Sequence, residues 1–301
     1  MKRNWTILIG KKRVTLYPFH SSMLGMADFV ICREDGDYDV AVKQIFITAH
    51  RMGVKVVNYA VVSNHIHVFF LADSQETADR YVNEIKKAYS MYIRHKYGFA
   101  KTLREVPFVP VLIEDDHHLR NALAYDSRNA LDNSDNIETY PWTGHSAFFR
   151  DKSEDYLGRP VSSLTTRESE AIFRTNEDIS ATGWRIDGEQ RLIPRSCCFH
   201  EYLEKAFCND QTYYYKTLGL LNKEEADYEL MLSPNRFLKD ADLLQETEEK
   251  ARKWTGKGLA ELTMREKVKM IRYIIKSHHT TPKQLARVLA LPLDLVRSLM
   301  E

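Results

Sequence analysis

The spacing of apolar positions changes period several times along the chain. From Tyr38 to Met52 they recur at helical spacing, with Val42, Ile45, Phe46 and Ala49 on one stripe, and Gly53 stops the run. VKVVNYAVVSNHIHVFFLA then supplies one or two strands rich in Val, Ile and Phe. The helical period returns from Ser74, a good cap residue, to Tyr97, with Gly98 as terminator. Upstream, RVTLYPF (13–19) has strand composition. Downstream, VPFVPVLIEDD is a proline-interrupted strand, and a third helix runs from about Asp116 to Ala130. This order predicts an α+β fold, an antiparallel sheet with helices packed on one side of it, and then an α-helical C-terminal region. YPWTGHSAFFR (140–150) reads as the loop that closes the first unit.

Residues 151–261 are more polar, with helical pieces and a loop around Pro194 to Cys198, and read as a linker or small helical region. The pattern sharpens again in 262–301. MREKVKMIRYIIKSH is a helix, and two short helices follow, each with a proline near its start, where the missing N–H is tolerated. PKQLARVLALPLDLVRSLM has the form of a helix-turn-helix, with Ala286 at the close approach, Ala290 at the turn and Val296 and Leu299 returning to the core. The expected units are therefore 1–150, 151–261 and 262–301.

Composition narrows the classes. The 301 residues are 44% hydrophobic and 28% charged, an ordinary globular balance, and the net charge of +1 means that any polyanion-binding surface must be local. Four cysteines without a CxxC pair read as reduced thiols. No apolar run has the length of a signal peptide core or a membrane span, so no membrane partner is expected and a cytoplasmic location is the expectation.

The candidate chemistry lies in VVSNHIHVFF. Along a strand, residues two apart face the same way with Cα atoms roughly 6.6 Å apart, so His65 and His67 can converge on one cation while Ile66 packs behind them. A bare H-x-H is more often two solvent-facing strand residues; its place in an apolar strand favours a metal half-site, which still needs a third ligand. A zinc hydrolase recruiting His117 or His118 is one way to supply it.

VSNHIHVFF also resembles the histidine-pair strand of the HUH single-tyrosine transposases, and of the REP-associated tyrosine transposases in particular. The likeness continues through KKAYSMYIRHKYG, VPVLIEDDHHLRNALAYDSRNAL and YPWTGHSAFF, covering roughly residues 10 to 150. It implies a catalytic unit that cleaves and rejoins single-stranded hairpin DNA through a 5′-phosphotyrosine link. Tyr125 would be the nucleophile, and His65, His67 and Asn129 the ligands of Mg²⁺ or Mn²⁺. Tyr125 and Asn129 are four apart, so they share a helix face.

In that context, two basic stretches become DNA contacts. The first carries Lys86, Lys87, Arg94, Lys96, Lys101 and Arg104 with interleaved aromatics, for single strands. The second is the C-terminal module, with eight Lys or Arg against three Asp or Glu from 264 on and Arg287, Arg297 and Ser298 as duplex contacts. Either a monomer or a homodimer is compatible. The competing expectation keeps this fold without the chemistry: a domesticated, transposase-like DNA-binding regulator that forms no covalent product.

Overall fold

In the computed structural model, which describes residues 3–9, 12–23, 30–98, 103, 106–133, 136–220, 240–277 and 280–300, one five-stranded antiparallel sheet organises the first half of the chain. β1 (Trp5–Ile9) pairs with the first half of β2 (Lys12–Met23). The second half of β2 lies between β4 (Ile66–Ala72) and β5 (Phe108–Leu112), and β3 (Lys55–Val61) pairs with the other side of β4.

Every residue of β4 is buried, because helices cover both faces of the strand. Ile66, Val68 and Phe70 face α1 (Asp35–Met52) and α2 (Gln75–Tyr97), where Phe70 meets Tyr81 at 4.8 Å between ring centroids. His67 and Phe69 face the opposite way, toward α3 (Asp116–Arg128). The expectation of helices on one side is therefore corrected. The reason was present in the sequence: KVVNYAV and IHVFFLA lack the polar alternation of a strand with one wet face.

The helix ends follow their caps. Ser74 accepts the backbone N–H of Thr77 at the start of α2, and Gly98 ends it in a left-handed conformation at φ 66°. Asp115 accepts the N–H of His118 and so starts the helix that carries Tyr125.

Residues 151–220 form α4 (Thr166–Phe173), α5 (Pro194–Cys197), α6 (His200–Ala206), α7 (Gln211–Leu220) and a short ribbon of β6 (Arg159–Pro160) and β7 (Arg185–Ile186). Their Tyr202, Phe207 and Tyr214 complete the core on the α3 face of the sheet, while Trp184 packs on Phe46 and His50 of α1, all in the same buried cluster as Leu16 and Phe69.

A second buried cluster is built from α8 (Asp240–Thr255), α9 (Met264–Ser277), α10 (Pro282–Leu289) and α11 (Leu293–Met300), with Leu243, Ile271, Leu285 and Val296 inside. The two short helices meet at Ala290, which holds φ 49°. A non-glycine residue there costs about 1–2 kcal/mol, and the buried Leu289 and Leu291 on either side hold the turn in place. Among the described residues no helix is long and apolar enough to cross a membrane.

Candidate active site

β3 and β4 are joined by a tight turn in which the Val62 N–H donates to the His65 carbonyl at 3.0 Å. His65 thus sits at the lip of the sheet, half-buried, and His67 lies one step inside, 3% exposed. Their rings meet edge to face with centroids 4.7 Å apart. The pair does converge on one side of the strand.

α3 crosses above them. The Tyr125 ring stands edge to face on His67 at 5.5 Å and is 38% exposed, so the phenol is at the surface and beside the imidazoles. The Arg128 guanidinium lies 6.0 Å from the centre of the same ring. One turn after Tyr125, the Asn129 side-chain NH₂ donates to the Tyr125 carbonyl at 2.8 Å, which turns its oxygen toward His65 Nε2 at 3.3 Å.

The surroundings of His65 fit a cation. Its Nδ1 lies 2.7 Å from the Asn64 side-chain oxygen, while Nε2 faces the oxygen of Asn129. A neutral imidazole carries a single N–H, so it satisfies one of these oxygens and sets a lone pair against the other. Either a second ring proton or a cation at Nε2 would resolve the conflict. His67 makes the same point differently: both of its ring nitrogens are buried without a hydrogen-bond partner among the described residues. Burial, and then the neighbouring His65 and His20, hold its pKa well below 6.5, so the ring is neutral and offers a lone pair. Two imidazoles and one amide oxygen suit manganese better than magnesium.

β2 and α3 add two residues that sequence reading does not assign to the site. His20, on β2, stacks on His67 at 5.8 Å, and its Nε2 lies 2.8 Å from Asp126 Oδ1. Burial lowers the His20 pKa, but the charge and hydrogen bond of Asp126 outweigh it and the net direction is upward. His20, His67 and Asp126 form a His-His-Asp group with ligand atoms within 4.8 Å of one another. The strand read from RVTLYPF stopped one residue short of His20. Asp126 stands next to Tyr125 in the sequence, but its partner is 106 residues away. His117 and His118 sit exposed on the first turn of α3 and are not part of this group.

The expected DNA contacts divide. Lys87 and Arg94 are exposed on α2, and Lys87 lies 3.7 Å from Glu84. Lys86 donates to the Val106 carbonyl at 3.3 Å. Lys96 is drawn into a knot with Glu34 and Asp37, at 2.5 Å from each. Lys101 and Arg104 lie outside the described residues. On α11, Arg297 and Ser298 are exposed.

Arg287 is a correction: it is buried and grips Asp240 with Nε at 2.6 Å and Nη2 at 3.2 Å, so it does not face outward to DNA. The same Asp240 accepts the hydroxyl of Ser63 at 2.5 Å, two residues before His65. The C-terminal helices are thereby anchored on the turn that carries the histidine pair.

Residues 34–106, which include His65 and His67 but end before Tyr125, match the family described as "Transposase IS200 like". The resemblance read from the sequence holds over that segment, whose family consists of transposases, proteins that process DNA. A solved structure described as "Structure of the REP associates tyrosine transposase bound to a REP hairpin" is 15% identical, with 48% of this chain and 81% of that chain covered. Its TM-score of 0.31 is too low to carry an argument here. No curated protein matches the chain.

Proposed function

We propose that the chain cleaves and rejoins single-stranded, hairpin-forming DNA by tyrosine transesterification. The observation that carries this reading is the meeting of three features in one place: the exposed Tyr125 ring, the buried His67 nitrogens that have no hydrogen-bond partner among the described residues, and the facing pair of His65 Nε2 and Asn129 Oδ1. His65, His67 and Asn129 would hold Mn²⁺ or Mg²⁺. When bound, such a cation polarises the scissile phosphodiester and offsets negative charge in an in-line displacement.

The remaining chemistry belongs to the chain. The Tyr125 oxygen bonds to phosphorus and gives up its phenolic proton. The bond from phosphorus to the 3′-oxygen breaks, and that oxygen leaves as a 3′-hydroxyl once protonated. The product is a 5′-phosphotyrosine, which keeps the strand activated for rejoining by the reverse exchange. Arg128, over the Tyr125 ring, brings positive charge to the approach of the backbone. Lys87 and Arg94 on the exposed side of α2 would guide the single strand, and Arg297 and Ser298 of α11 would contact duplex DNA.

The test is a denaturing gel after incubating the full chain with a hairpin oligonucleotide and Mn²⁺. A denaturation-resistant protein–DNA band is expected, lost in Tyr125→Phe while oligonucleotide binding persists. An undiminished band in Tyr125→Phe would remove Tyr125 from the mechanism. Binding without any band in the unsubstituted chain would favour the regulator reading.

A further inference from the structure

We propose that Asp126, itself held by His20, is the outer partner of His67, and that its carboxylate fixes the imidazole tautomer that leaves Nε2 free to bind the cation. The inference rests on the metal reading above and assigns a role to two residues outside the ligand set. Asp126 Oδ1 lies 3.9 Å from His67 Nδ1. Asp126 is fully buried, its Oδ2 has no hydrogen-bond partner among the described residues, and the same is true of both nitrogens of His67. The oxygen nearest His67 is Oδ1, which His20 already holds, and a buried ring able to donate faces it across a gap slightly too wide for a hydrogen bond. Leaving the His67 ring unmatched is costly, and a small approach of α3 to the sheet lets Oδ1 accept from Nδ1 as well as from His20.

The direction of that hydrogen bond fixes what the other side of the ring can do. With the proton on Nδ1, directed at Asp126, the lone pair lies on Nε2. Ligating histidines commonly donate their second N–H to a carboxylate in this way, which sets ring orientation and raises ligand basicity. His20 contributes from the neighbouring strand. Its Nε2, 2.8 Å from Asp126 Oδ1, keeps the carboxylate from swinging away, and its ring stacks on His67 with an interplanar angle of 14°. α3 then supplies three functions within five residues: the phenol of Tyr125, the orienting carboxylate of Asp126 and the amide of Asn129. Asp126 is a positioning residue, not a ligand.

The experiment uses the full chain without DNA and has two arms. Nitrogen-15 NMR of the histidine rings reports the tautomer of His67 directly and needs no substitution at Asp126. Mn²⁺ titration followed by electron paramagnetic resonance reports affinity. The Nδ1–H tautomer is expected in the unsubstituted chain. Asp126→Asn is expected to shift His67 toward the other tautomer and to weaken Mn²⁺ binding about 10- to 100-fold, with the bound ion still coordinated by two imidazoles. An Nε2–H tautomer at His67 in the unsubstituted chain would overturn the proposal, as would unchanged Mn²⁺ affinity in a folded Asp126→Asn chain. A third imidazole on the ion, lost in His20→Gln, would also overturn it by making His20 a ligand. If the unsubstituted chain binds no Mn²⁺, the underlying metal reading fails instead.

Discussion

Lys96 illustrates how a residue's role depends on partners that the local sequence hides. In the basic stripe of α2 it reads as a phosphate contact, yet its ammonium sits between Glu34 and Asp37, some 60 residues earlier. Tyr92 and Tyr97 donate to the same Asp37 at 2.8 and 2.7 Å, and the Arg33 backbone N–H adds a fourth bond. Burial raises the Asp37 pKa, but these donors, Lys96 first, outweigh it and hold the carboxyl below 3.8. A depressed carboxylate stabilises the fold above its unfolded pKa, and this contribution is lost as pH falls through the lower folded value. Asp37→Asn is therefore expected to lose about 1–3 kcal/mol near neutrality and to show a flatter acid limb below 3.8, measured by urea unfolding across that range. A parallel loss in both chains at low pH would contradict the assignment. The proposed site residues are easier to read: spacing puts His65 and His67 on one strand face and Tyr125 and Asn129 on one helix face, while the choice of Tyr125 and Asn129 rests on the family resemblance. His20 and Asp126 are not legible, because strand pairing sets His20 beside His67 and the packing of α3 on the sheet brings Asp126 to both.

Among the elements α3 matters most, since it carries the phenol and the amide against the sheet. It is held from two sides. Asn58 of β3 donates its side-chain NH₂ to the Leu123 carbonyl at 2.8 Å and to Ser127 Oγ at 3.0 Å. Tyr214 of α7 shares a hydrogen bond with the same Ser127 hydroxyl at 2.8 Å and meets His145 Nδ1 at 3.0 Å. His145 leads on to Glu138 at 3.1 Å. α7 comes from the polar stretch whose purpose was unreadable in sequence, because its aromatic residues find their partners only on α3 and the 140s loop. Tyr214→Phe leaves the ring in place and removes one partner each from Ser127 Oγ and His145 Nδ1, so it is expected to destabilise the chain by about 1–2 kcal/mol in thermal unfolding. Rejoining of cleaved hairpin DNA should slow as α3 loosens. Unchanged stability together with unchanged rejoining would show that α3 is positioned without it.

For the whole molecule, the sheet and its long helices were legible because period and caps agreed: Ser74, Gly53 and Gly98 mark the helix ends that their residue types imply. The covering of both sheet faces was misread because residues 151–220 lack a strong period, although their aromatics complete the core. Arg287 was misread for a related reason. On a basic helix it resembles a DNA contact, but Asp240 and Ser63 make it the pin between the C-terminal helices and the histidine turn. These arrangements converge on the proposed cation site, where His65, His67 and Asn129 meet beneath Tyr125. Anomalous diffraction from crystals of the full chain soaked in Mn²⁺ tests it most directly. One strong peak is expected within bonding distance of His65 Nε2, His67 and Asn129 Oδ1. A peak held by His20 and Asp126 without His65 and Asn129, or no peak at the histidine pair, would contradict it.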